Sequence, residues 1–463
     1  MAQRVLIGCG AGFSGDRTDA AIPVVRELRR REEPAYLFFE TLGERTLALA
    51  QLRRQDDPHQ GHEPLLEEML EPVLGDCLKA GIPVIGNFGA ANPREAARRI
   101  ARLAVAAGHG DAAIAVVEGD EVTHLVESGD LTPLGLDQGL HDRPLICANA
   151  YLGAEPIAEA LGQGAEIVVT GRVADPSMAV APAMHAFGWD ALDADRIATA
   201  TLAGHLLECG SQVTGGYYCD PGFKDVPDLD RVGYPIAELT RDRSVTITKP
   251  GDTGGLICEA NVKEQLLYEI HEPDAYLTPD VVLDITAVEV WQRAEDRVEV
   301  LGARGRTRPE RLKVTVSVEG GWLGEGEISY AGPNALARAR LALDILAKRL
   351  PPHLRLRRDL IGVTSVLGDE EGPQDGALDG RLFEERDVRA RIAVEANTWA
   401  EAEAATREVT ALLCCGPAGG GGVRTSVRRR INTWSATAAR AAVERGVRVT
   451  LLPARRWQDS ARD

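Results

Sequence analysis

The sequence has few cysteines and few aromatic residues, and it has no long apolar run. Cysteine accounts for 8 of the 463 residues, and Phe, Trp and Tyr together for 5%. No two cysteines show the CxxC spacing typical of zinc and redox sites, so we expect reduced thiols and no metal site. The apolar runs are too short to cross a bilayer, and the first residues do not have the pattern of a secretion signal. We therefore expect a cytoplasmic protein with no membrane partner.

Positively charged residues are fewer than negatively charged ones. The 52 Lys and Arg residues are outnumbered by 70 Asp and Glu residues, which gives a formal net charge of −18. A surface of this sign repels a phosphate backbone, so nucleic acid is not expected as a partner. The hydrophobic fraction, 44%, is that of a folded chain, and the length allows two domains.

Short apolar runs alternate with amphipathic stretches through the first 210 residues. The apolar runs predict buried strands at residues 5–10, 35–40, 82–87, 113–119, 145–150 and 166–171. The amphipathic stretches predict helices at residues 19–31, 93–108 and 154–164. This alternation predicts an α/β domain, residues 1–210, with a mostly parallel sheet and helices on both faces.

The pattern changes after residue 210. Alternating apolar and polar residues predict antiparallel strands at residues 243–249, 279–292, 296–305 and 312–322. The remaining elements predicted are helices at residues 334–350 and 398–415 and a strand at residues 447–457. Residues 211–463 are therefore expected to form an α+β domain that closes over the carboxyl ends of the parallel strands. The acidic, turn-rich stretch 368–380 predicts an exposed loop.

The glycine-rich loop after the first predicted strand is a candidate site. Its glycines have the GxGxxG spacing of dinucleotide-binding turns: Gly10, Gly12 and Gly15. A helix is predicted to start near residues 16–19, and its free amides, with Ser14, could hold a phosphate or a carboxylate. Asp16 argues against a pyrophosphate because it adds a negative charge, and it is a candidate catalytic group. A tight turn without a ligand is the alternative interpretation.

Polar side chains follow the other predicted strands. Ligands of an open parallel sheet bind beyond the carboxyl ends of its strands, so these side chains are expected to share one site. The candidate substrate-binding residues are Asn87, Asn149 and Arg172. Glu118 is a candidate acid or base. Asp120 and Asp175 are interpreted as cap or turn residues.

His205 and Glu208 form a second candidate catalytic pair. They are three residues apart, which makes them neighbours on a helix, and a carboxylate can orient a histidine as a general base. The alternative interpretation is a histidine at a helix end, stacked against Tyr217 or Tyr218. Cys209 fits a core thiol as well as a nucleophile.

Two later glycine-rich stretches are candidate anion sites. In the stretch 248–256 the candidates are Lys249, Thr253 and Gly254. The stretch 414–430 has glycine at every position from 419 to 422 and is rich in arginine, and its candidates are Gly420, Gly421 and Arg424. A basic island in an acidic protein predicts either an anionic ligand, such as the phosphates of coenzyme A, or an acidic surface on a neighbouring subunit. The stretch HQGHE, residues 59–63, is interpreted as surface rather than as a metal site.

Taken together, these stretches resemble the acyclic terpene utilisation family (AtuA-like proteins). The resemblance is carried, in order along nearly the whole chain, by stretches such as GFSGDRTDAA, VVEGDEV, TKPGDTGGL and GPAGGGGVRTSV. The family is named for the degradation of citronellol and geraniol, whose acids are processed as acyl-CoA thioesters. The resemblance therefore implies action on or near branched acyl-CoA intermediates, without an established catalytic residue. Many members carry a small C-terminal ferredoxin-like domain, which this chain is expected to lack.

Three functions remain open at this stage. The first is a lyase or hydratase of a carboxylated acyl-CoA thioester, in which His205 or Glu118 moves a proton and Arg172 pairs with the substrate carboxylate. The second is a noncatalytic binding or scaffolding subunit of an acyl-CoA carboxylase pathway. The third is a nicotinamide-dependent oxidoreductase that uses the GxGxxG turn. We expect an anionic small-molecule substrate, no cofactor beyond its coenzyme A moiety, and a homo-oligomer.

Overall fold

The computed structural model describes residues 2–135, 143–366 and 387–459, which belong to two compact units. Unit 1 consists of the described residues within Met1–Asp137, Ile146–Ser317 and Thr433–Asp463. Unit 2 consists of those within Gln138–Leu145 and Val318–Asn432. The loop predicted at residues 368–380 lies outside the described residues. No helix in the described ranges is both long and apolar enough to span a membrane.

Five parallel strands form the centre of the main sheet of unit 1. In sheet order they are β1 (Arg4–Ala11), β2 (Ala35–Phe39), β3 (Val84–Gly86), β7 (Ile167–Thr170) and β4 (Ala113–Glu118). Each pairs with its neighbour in parallel. The strands are apolar over most of their length because their residues are buried on both faces of the sheet. The predicted α/β class with a largely parallel N-terminal sheet is confirmed.

Antiparallel strands extend this sheet at both ends. Beside β1 lie β8 (Ile236–Thr240), β9 (Val245–Thr248), β13 (Arg297–Leu301) and β12 (Glu289–Ala294), and beside β4 lies β19 (Arg448–Pro453). The change of sequence pattern at residue 210 therefore marks a change from parallel to antiparallel pairing within unit 1, because residues 211–317 belong to the same compact unit as β1. The expected closure of residues 211–463 over the strand ends stays a prediction.

One predicted strand pairs outside the main sheet. The run at residues 145–150 forms β6 (Leu145–Ala150), but β6 pairs with β15 (Arg311–Ala331), so its interpretation as a strand of the parallel sheet is wrong. An apolar run indicates that a strand is buried, but it does not identify the strand with which it pairs. The other short strands are β5 (Thr132–Leu134), which pairs with β18 (Gly421–Ala439), and β10 (Tyr276–Leu277), β11 (Val282–Asp284) and β14 (Arg304–Arg306), which form a three-stranded sheet.

The helices of unit 1 follow most of the predicted amphipathic stretches. They are α1 (Ala21–Leu28), α2 (Glu44–Asp56), α3 (Leu66–Leu70), α4 (Leu74–Ala80), α5 (Pro93–Ala106), α6 (Thr123–Glu127), α7 (Glu155–Gly162), α8 (Ser177–Phe187), α9 (Ala194–Leu207), α10 (Glu259–Leu267), α13 (Arg440–Glu444) and α14 (Ala454–Asp459). Short 3₁₀ turns cover Gly210–Thr214 and Leu229–Arg231. In α5, a proline stands in the first turn, where its missing amide is not needed, and Ile100 and Ala104 lie on the buried face.

Unit 2 is an antiparallel sheet with two helices. β16 (Arg355–Ile361) pairs with β17 (Asp387–Ala396), and β17 pairs with β15, which lies beside β18. Alternate residues of β17, such as Ile392 and Val394, pack with residues of α11 (Ala335–Arg349) and α12 (Trp399–Cys415) in one core. Most of the intervening residues are polar; Arg391, for example, pairs with Asp359 at 2.5 Å. The predicted antiparallel pairing in the second half is confirmed, although the run predicted as one strand at residues 279–292 forms two strands, β11 and β12, in different sheets.

Glu238 is a buried carboxylate held by three arginines in unit 1. It lies on β8 and is 2% exposed. Arg297 donates to both of its oxygens at 2.9 and 2.8 Å, Arg31 donates at 3.2 Å, and Arg4 lies 3.4 Å away. Burial alone would raise the pKa of Glu238, but the arginines outweigh it and lower the pKa below the usual range of a glutamate. The folded protein therefore favours the charged form.

The Glu238→Gln variant is expected to lower the free energy of unfolding at pH 7 by roughly 1–3 kcal/mol, because the arginines lose their counter-charge. Since the folded-state pKa lies below that of the unfolded chain, the wild-type carboxylate stabilises fully above the ordinary glutamate pKa, and this stabilisation is lost as the pH falls through the lowered value. Urea denaturation at pH 7 and pH 3 should therefore show the difference shrinking in acid. The exposed control Glu32→Gln should change stability by less than about 0.5 kcal/mol. A difference independent of pH would contradict the assignment.

Candidate functional site

The loop between β2 and α2 is held by side chains that follow neighbouring parallel strands. Glu40, just after β2, accepts hydrogen bonds from the Leu42 amide at 2.8 Å and from Nδ2 of Asn87 at 2.9 Å. The Oδ1 atom of Asn87 accepts from the Thr41 amide at 2.7 Å, and Nη1 of Arg172 donates to the Leu42 carbonyl. Asn87 follows β3 and Arg172 follows β7, so the carboxyl edge of the sheet fixes this loop.

Arg172 carries a buried charge that is engaged by protein groups. It is 3% exposed, its Nη2 donates to Oδ1 of Asp175 at 2.9 Å, and its guanidinium lies 4.1 Å from the centre of the Tyr151 ring. Burial opposes the charge, but Asp175 and Tyr151 outweigh it and raise the pKa of Arg172. The predicted pairing of Arg172 with a substrate carboxylate would have to displace these contacts.

Asp175 differs from its partner because its side chain is 34% exposed. Burial raises the pKa of Asp175 above the usual aspartate range, although the positive charge of Arg172 opposes this shift. A partly exposed carboxyl group with a raised pKa is suited to acid or base catalysis. The interpretation of Asp175 from the sequence as a cap or turn residue did not include a catalytic role.

Tyr151 lies between the buried arginine and a surface ion pair. Its hydroxyl donates to Glu44, and Nζ of Lys313 lies 4.6 Å from the ring centre and 3.2 Å from Glu44. Burial would raise the pKa of Glu44, but the hydrogen bond from Tyr151 and the two cations lower it to about 2. Glu44 therefore stays ionised at neutral pH.

Asp120 and Asn149 form a buried structural pair. The Oδ2 atom of Asp120 accepts from Nδ2 of Asn149 and from the amide of Arg172, both at 2.9 Å. Burial raises the pKa of Asp120 to about 6, although both hydrogen bonds oppose the shift. The pair fixes the backbone at the end of β7, which places Arg172.

His205 and Glu208 lie at the end of α9, as their spacing predicts. Nδ1 of His205 is 3.0 Å from Oε1 of Glu208, and the His205 side chain is 2% exposed. Burial disfavours a charge on His205, but Glu208 outweighs it and raises the pKa of the imidazole. Burial raises the pKa of Glu208 to about 7. Two coupled groups of this kind hold a shared proton near neutral pH.

The surroundings of this pair differ from the alternative interpretation of the sequence. The His205 ring lies 5.5 Å from the ring of Tyr276, on β10, while Tyr217 packs with Tyr268 at 6.5 Å. The ring beside His205 is therefore that of Tyr276, in a tilted contact at 58° rather than a stacked one. Burial raises the pKa of the Cys209 thiol well above its usual range, so Cys209 is not a thiolate nucleophile at neutral pH.

These groups form one charged cluster in unit 1: Glu40, Arg172, Asp175, His205 and Glu208. Burial raises the pKa of Glu40 to about 8, and the charge of Asp175 adds to this shift. Asp175 also raises the pKa of Glu208. The carboxyl edge of the parallel sheet and the end of α9 thus bring ionisable groups of opposite sign close enough to interact. The charge of Asp175 raises the pKa of one group in each part, Glu40 and Glu208. Such coupling is typical of functional sites.

A sequence model of the family described as acyclic terpene utilisation family protein AtuA matches residues 5–449, which include the whole cluster. The chain belongs to the acyclic terpene utilisation family. The resemblance read from the sequence is therefore confirmed. No curated protein matches this member of the AtuA family. Family membership fits a role in acyclic terpene utilisation.

The GxGxxG loop of this AtuA-family protein is organised by Asp16. Its Oδ2 atom accepts from the Gly12 amide at 2.8 Å, and its Oδ1 atom accepts from the Tyr234 hydroxyl at 2.5 Å. Helix α1 begins at Ala21, shortly after the start predicted near residues 16–19. Asp16 already accepts the hydrogen bond of the Gly12 amide, which a bound pyrophosphate would need as a donor. Ser14 donates to the buried Glu63 at 2.6 Å.

The glycines of this loop have packing roles. A Cβ atom on Gly10 would lie 2.6 Å from the Phe39 ring, and one on Gly12 would lie 2.4 Å from the backbone of both Cys209 and Gly210. Gly15 has a φ of 89°, which side chains rarely adopt. The close approach of Gly12 to Cys209 joins the β1 loop to the chain that follows the catalytic candidates His205 and Glu208.

The Gly12→Ala variant is expected to lower the free energy of unfolding by about 1–3 kcal/mol, because backbone on both sides must shift to accommodate a methyl group. Gly162→Ala is the control, since a Cβ atom there meets nothing within 4 Å and alanine favours the helix. Urea denaturation of both variants measures the contrast. Equal stability of Gly12→Ala and wild type would show that the loop is not in close contact with Cys209.

Other candidates of the AtuA-family chain are engaged in local contacts. Glu118 accepts hydrogen bonds from Arg94 at 2.9 and 2.7 Å in a partly exposed ion pair.

In the stretch 248–256, Nζ of Lys249 donates to the Thr253 carbonyl at 3.0 Å and lies 3.0 Å from Asp296. The Thr253 hydroxyl donates to the Pro250 carbonyl at 2.6 Å, and the Gly254 amide donates to the Arg231 carbonyl at 2.8 Å. Their predicted roles stay predictions.

The polyglycine stretch lies in unit 2. Strand β18 begins at Gly421, so the glycines enter a strand rather than forming one continuous bend. Gly419 and Gly422 have φ of 74° and 63°, and a Cβ atom on Gly420 would lie 2.8 Å from Ile328. Arg424 is exposed. Anion binding by Gly420, Gly421 and Arg424 stays a prediction.

The stretch at residues 59–63 is not wholly on the surface. His62 and Glu63 are 5% and 3% exposed, so its interpretation as surface is wrong for these two residues. Burial and the nearby Arg99 lower the pKa of His62 to about 4, which keeps the imidazole neutral. Within the described residues, no group of three or more His, Cys, Asp or Glu side chains is arranged to hold a metal ion.

Proposed function

We propose that this protein is an enzyme of acyclic terpene utilisation that moves protons on an anionic, branched acyl thioester in a lyase or hydratase reaction. One observation carries the proposal: the partly exposed Asp175 and the buried His205–Glu208 pair belong to one charged cluster, whose strand-end members lie at the carboxyl edge of the parallel sheet. The thioester in this proposal comes from the family, whose terpenoid acids are processed as acyl-CoA thioesters.

Hydration and elimination beside a thioester require one group that removes a proton and another that returns one. Asp175 suits the first role because it is partly exposed and because Arg172 holds it in place at 2.9 Å. The buried His205–Glu208 pair suits the second role because its raised pKa values keep a shared proton near neutral pH, which a group between the pair and the substrate would pass on. Environments that divide acid and base roles between neighbouring groups are the usual basis of such catalysis.

Arg172 has a positioning role in this proposal. Its hydrogen bonds to Asp175 and to the Leu42 carbonyl place the base and the β2–α2 loop.

The proposal is tested with purified wild-type protein and a panel of branched and carboxylated enoyl- and 3-hydroxyacyl-CoA thioesters. Mass spectrometry should detect gain or loss of water, cleavage, or deuterium incorporation from D₂O for at least one thioester. No change in any thioester of the panel would contradict the proposal. Stoichiometric recovery of a biotin-containing partner from lysate, with no turnover, would favour the noncatalytic subunit instead.

The nucleotide-dependent alternative has a separate test. Because Asp16 accepts the hydrogen bond of the Gly12 amide, we expect NAD and NADP to leave the melting temperature unchanged. A concentration-dependent rise with either nucleotide would favour the oxidoreductase.

A further inference from the structure

The His205–Glu208 pair is enclosed on the sides of its free atoms. Nε2 of His205 and Oε2 of Glu208 are both buried, and neither has a hydrogen-bond partner among the described residues. The backbone carbonyls of Gln265 and Leu266 contribute to the raised pKa of the imidazole. A pair enclosed in this way requires a further group to act on a ligand outside it.

Tyr276 is positioned to be that group. Its ring lies 5.5 Å from the His205 ring at an angle of 58°, and the residue is only partly buried. Pairing of Tyr276 with Leu283 of β11 fixes strand β10, and Arg306 of β14 donates to the carbonyl of Asp274 just before it. The tyrosine is thus held on a small sheet with one side against the buried pair.

The phenol is a donor among groups that are mainly acceptors. Its electrostatic neighbours are Glu208, Asp175, Glu269 and Cys209. Burial and these neighbours raise the pKa of Tyr276 well above its usual range, so the phenol keeps its proton. Arg172, the nearby cation, is buried and engaged by Asp175 and the Leu42 carbonyl.

We propose that Tyr276 is a catalytic hydrogen-bond donor, whose phenol binds the thioester oxygen on which negative charge develops. The inference rests on the proposed function. In the step considered, the C–H bond beside the thioester breaks and its proton passes to the Asp175 carboxylate. The electron pair of that bond forms a carbon–carbon double bond, and the carbonyl π pair moves to the oxygen, which accepts the hydrogen bond of Tyr276. Donors placed at such an oxygen are a major source of catalysis.

The test compares Tyr276→Phe with Tyr36→Phe on a thioester that the wild type accepts. Tyr36 is a matched control because it is also a buried tyrosine beside a histidine, with its hydroxyl 2.6 Å from Nδ1 of His185. We expect kcat, and the rate of deuterium exchange beside the thioester, to fall about 10²–10³-fold in Tyr276→Phe, with KM within about threefold of wild type. Tyr36→Phe should keep both within about threefold, even if its Tm falls.

The outcomes separate the inference from the proposed function. Wild-type exchange that persists undiminished in Tyr276→Phe overturns the inference and leaves the proposed function standing, whereas no turnover by wild type on the whole panel overturns the proposed function itself. Replacement of Tyr276 by 3-fluorotyrosine keeps the ring and the donor, so it should retain wild-type kcat even if the phenylalanine variant folds poorly. A fluorinated variant as slow as Tyr276→Phe would contradict the donor role.

Discussion

Replacing Asp175 by asparagine is expected to lower kcat on an accepted thioester by about 10²–10⁴-fold, with little change in KM. Asparagine keeps the shape of the side chain and can accept the hydrogen bond that Arg172 donates at 2.9 Å, but it cannot take up a proton. The loss should therefore appear in the chemical step, and the circular dichroism spectrum should stay that of wild type.

The pH dependence of the wild type gives a second measurement of the same role. Activity should rise with pH as Asp175 ionises, and because burial raises its pKa, the rising limb should lie above the usual aspartate range. Activity should fall again as the His205–Glu208 pair loses its shared proton. The rising limb should be absent from the residual activity of Asp175→Asn.

Asp228→Asn is the matched control for this substitution. Asp228 also accepts a hydrogen bond from an arginine three residues away, Arg231, at 2.7 Å, but both side chains are exposed. Its activity should stay within about twofold of wild type. Full activity in Asp175→Asn would remove Asp175 as the base.

Replacing Arg172 by methionine is expected to cost about 3–5 kcal/mol of unfolding free energy. The variant leaves the Leu42 carbonyl without its donor and takes the counter-charge away from Asp175 and the buried Glu40. Denaturant titration measures the loss, and hydrogen exchange should show faster opening of the β2–α2 loop. Because the loop is tied to the same guanidinium, the activity should fall as well.

The exposed Arg231, which forms an ion pair with Asp228, provides the control for the Arg172 substitution. Arg231→Met breaks an ion pair of the same sequence spacing at the surface, and it should change stability by no more than about 1 kcal/mol. If Arg172→Met cost as little as Arg231→Met, the buried guanidinium would not be holding the sheet edge together.

The parallel strands could be predicted because strands buried on both faces must be apolar throughout, as residues 35–39 are. The antiparallel neighbours of β1 could not be predicted, since periodicity gives the faces of a strand but not its partner. The pairing of Ile7 with Ala237 joins residues that are far apart in sequence. For the same reason the run at residues 145–150 was placed in the wrong sheet.

The candidate site was predictable where chemistry follows short-range geometry. His205 and Glu208 are neighbours because residues three apart meet on a helix. Tyr276 carried no signal, because a single tyrosine in a two-residue strand has no pattern that points to His205. Asp175 looked like a turn residue, and its exposure beside the buried Arg172 emerges only from the fold.

The pairing of β1 with β8 also bears on how the protein is made. During translation β1 leaves the ribosome long before residues 236–240 that cover its second edge. At typical synthesis rates this edge stays open for roughly 10–50 seconds. Unpaired apolar strand edges recruit other chains, so this interval is when the nascent protein is most open to aggregation.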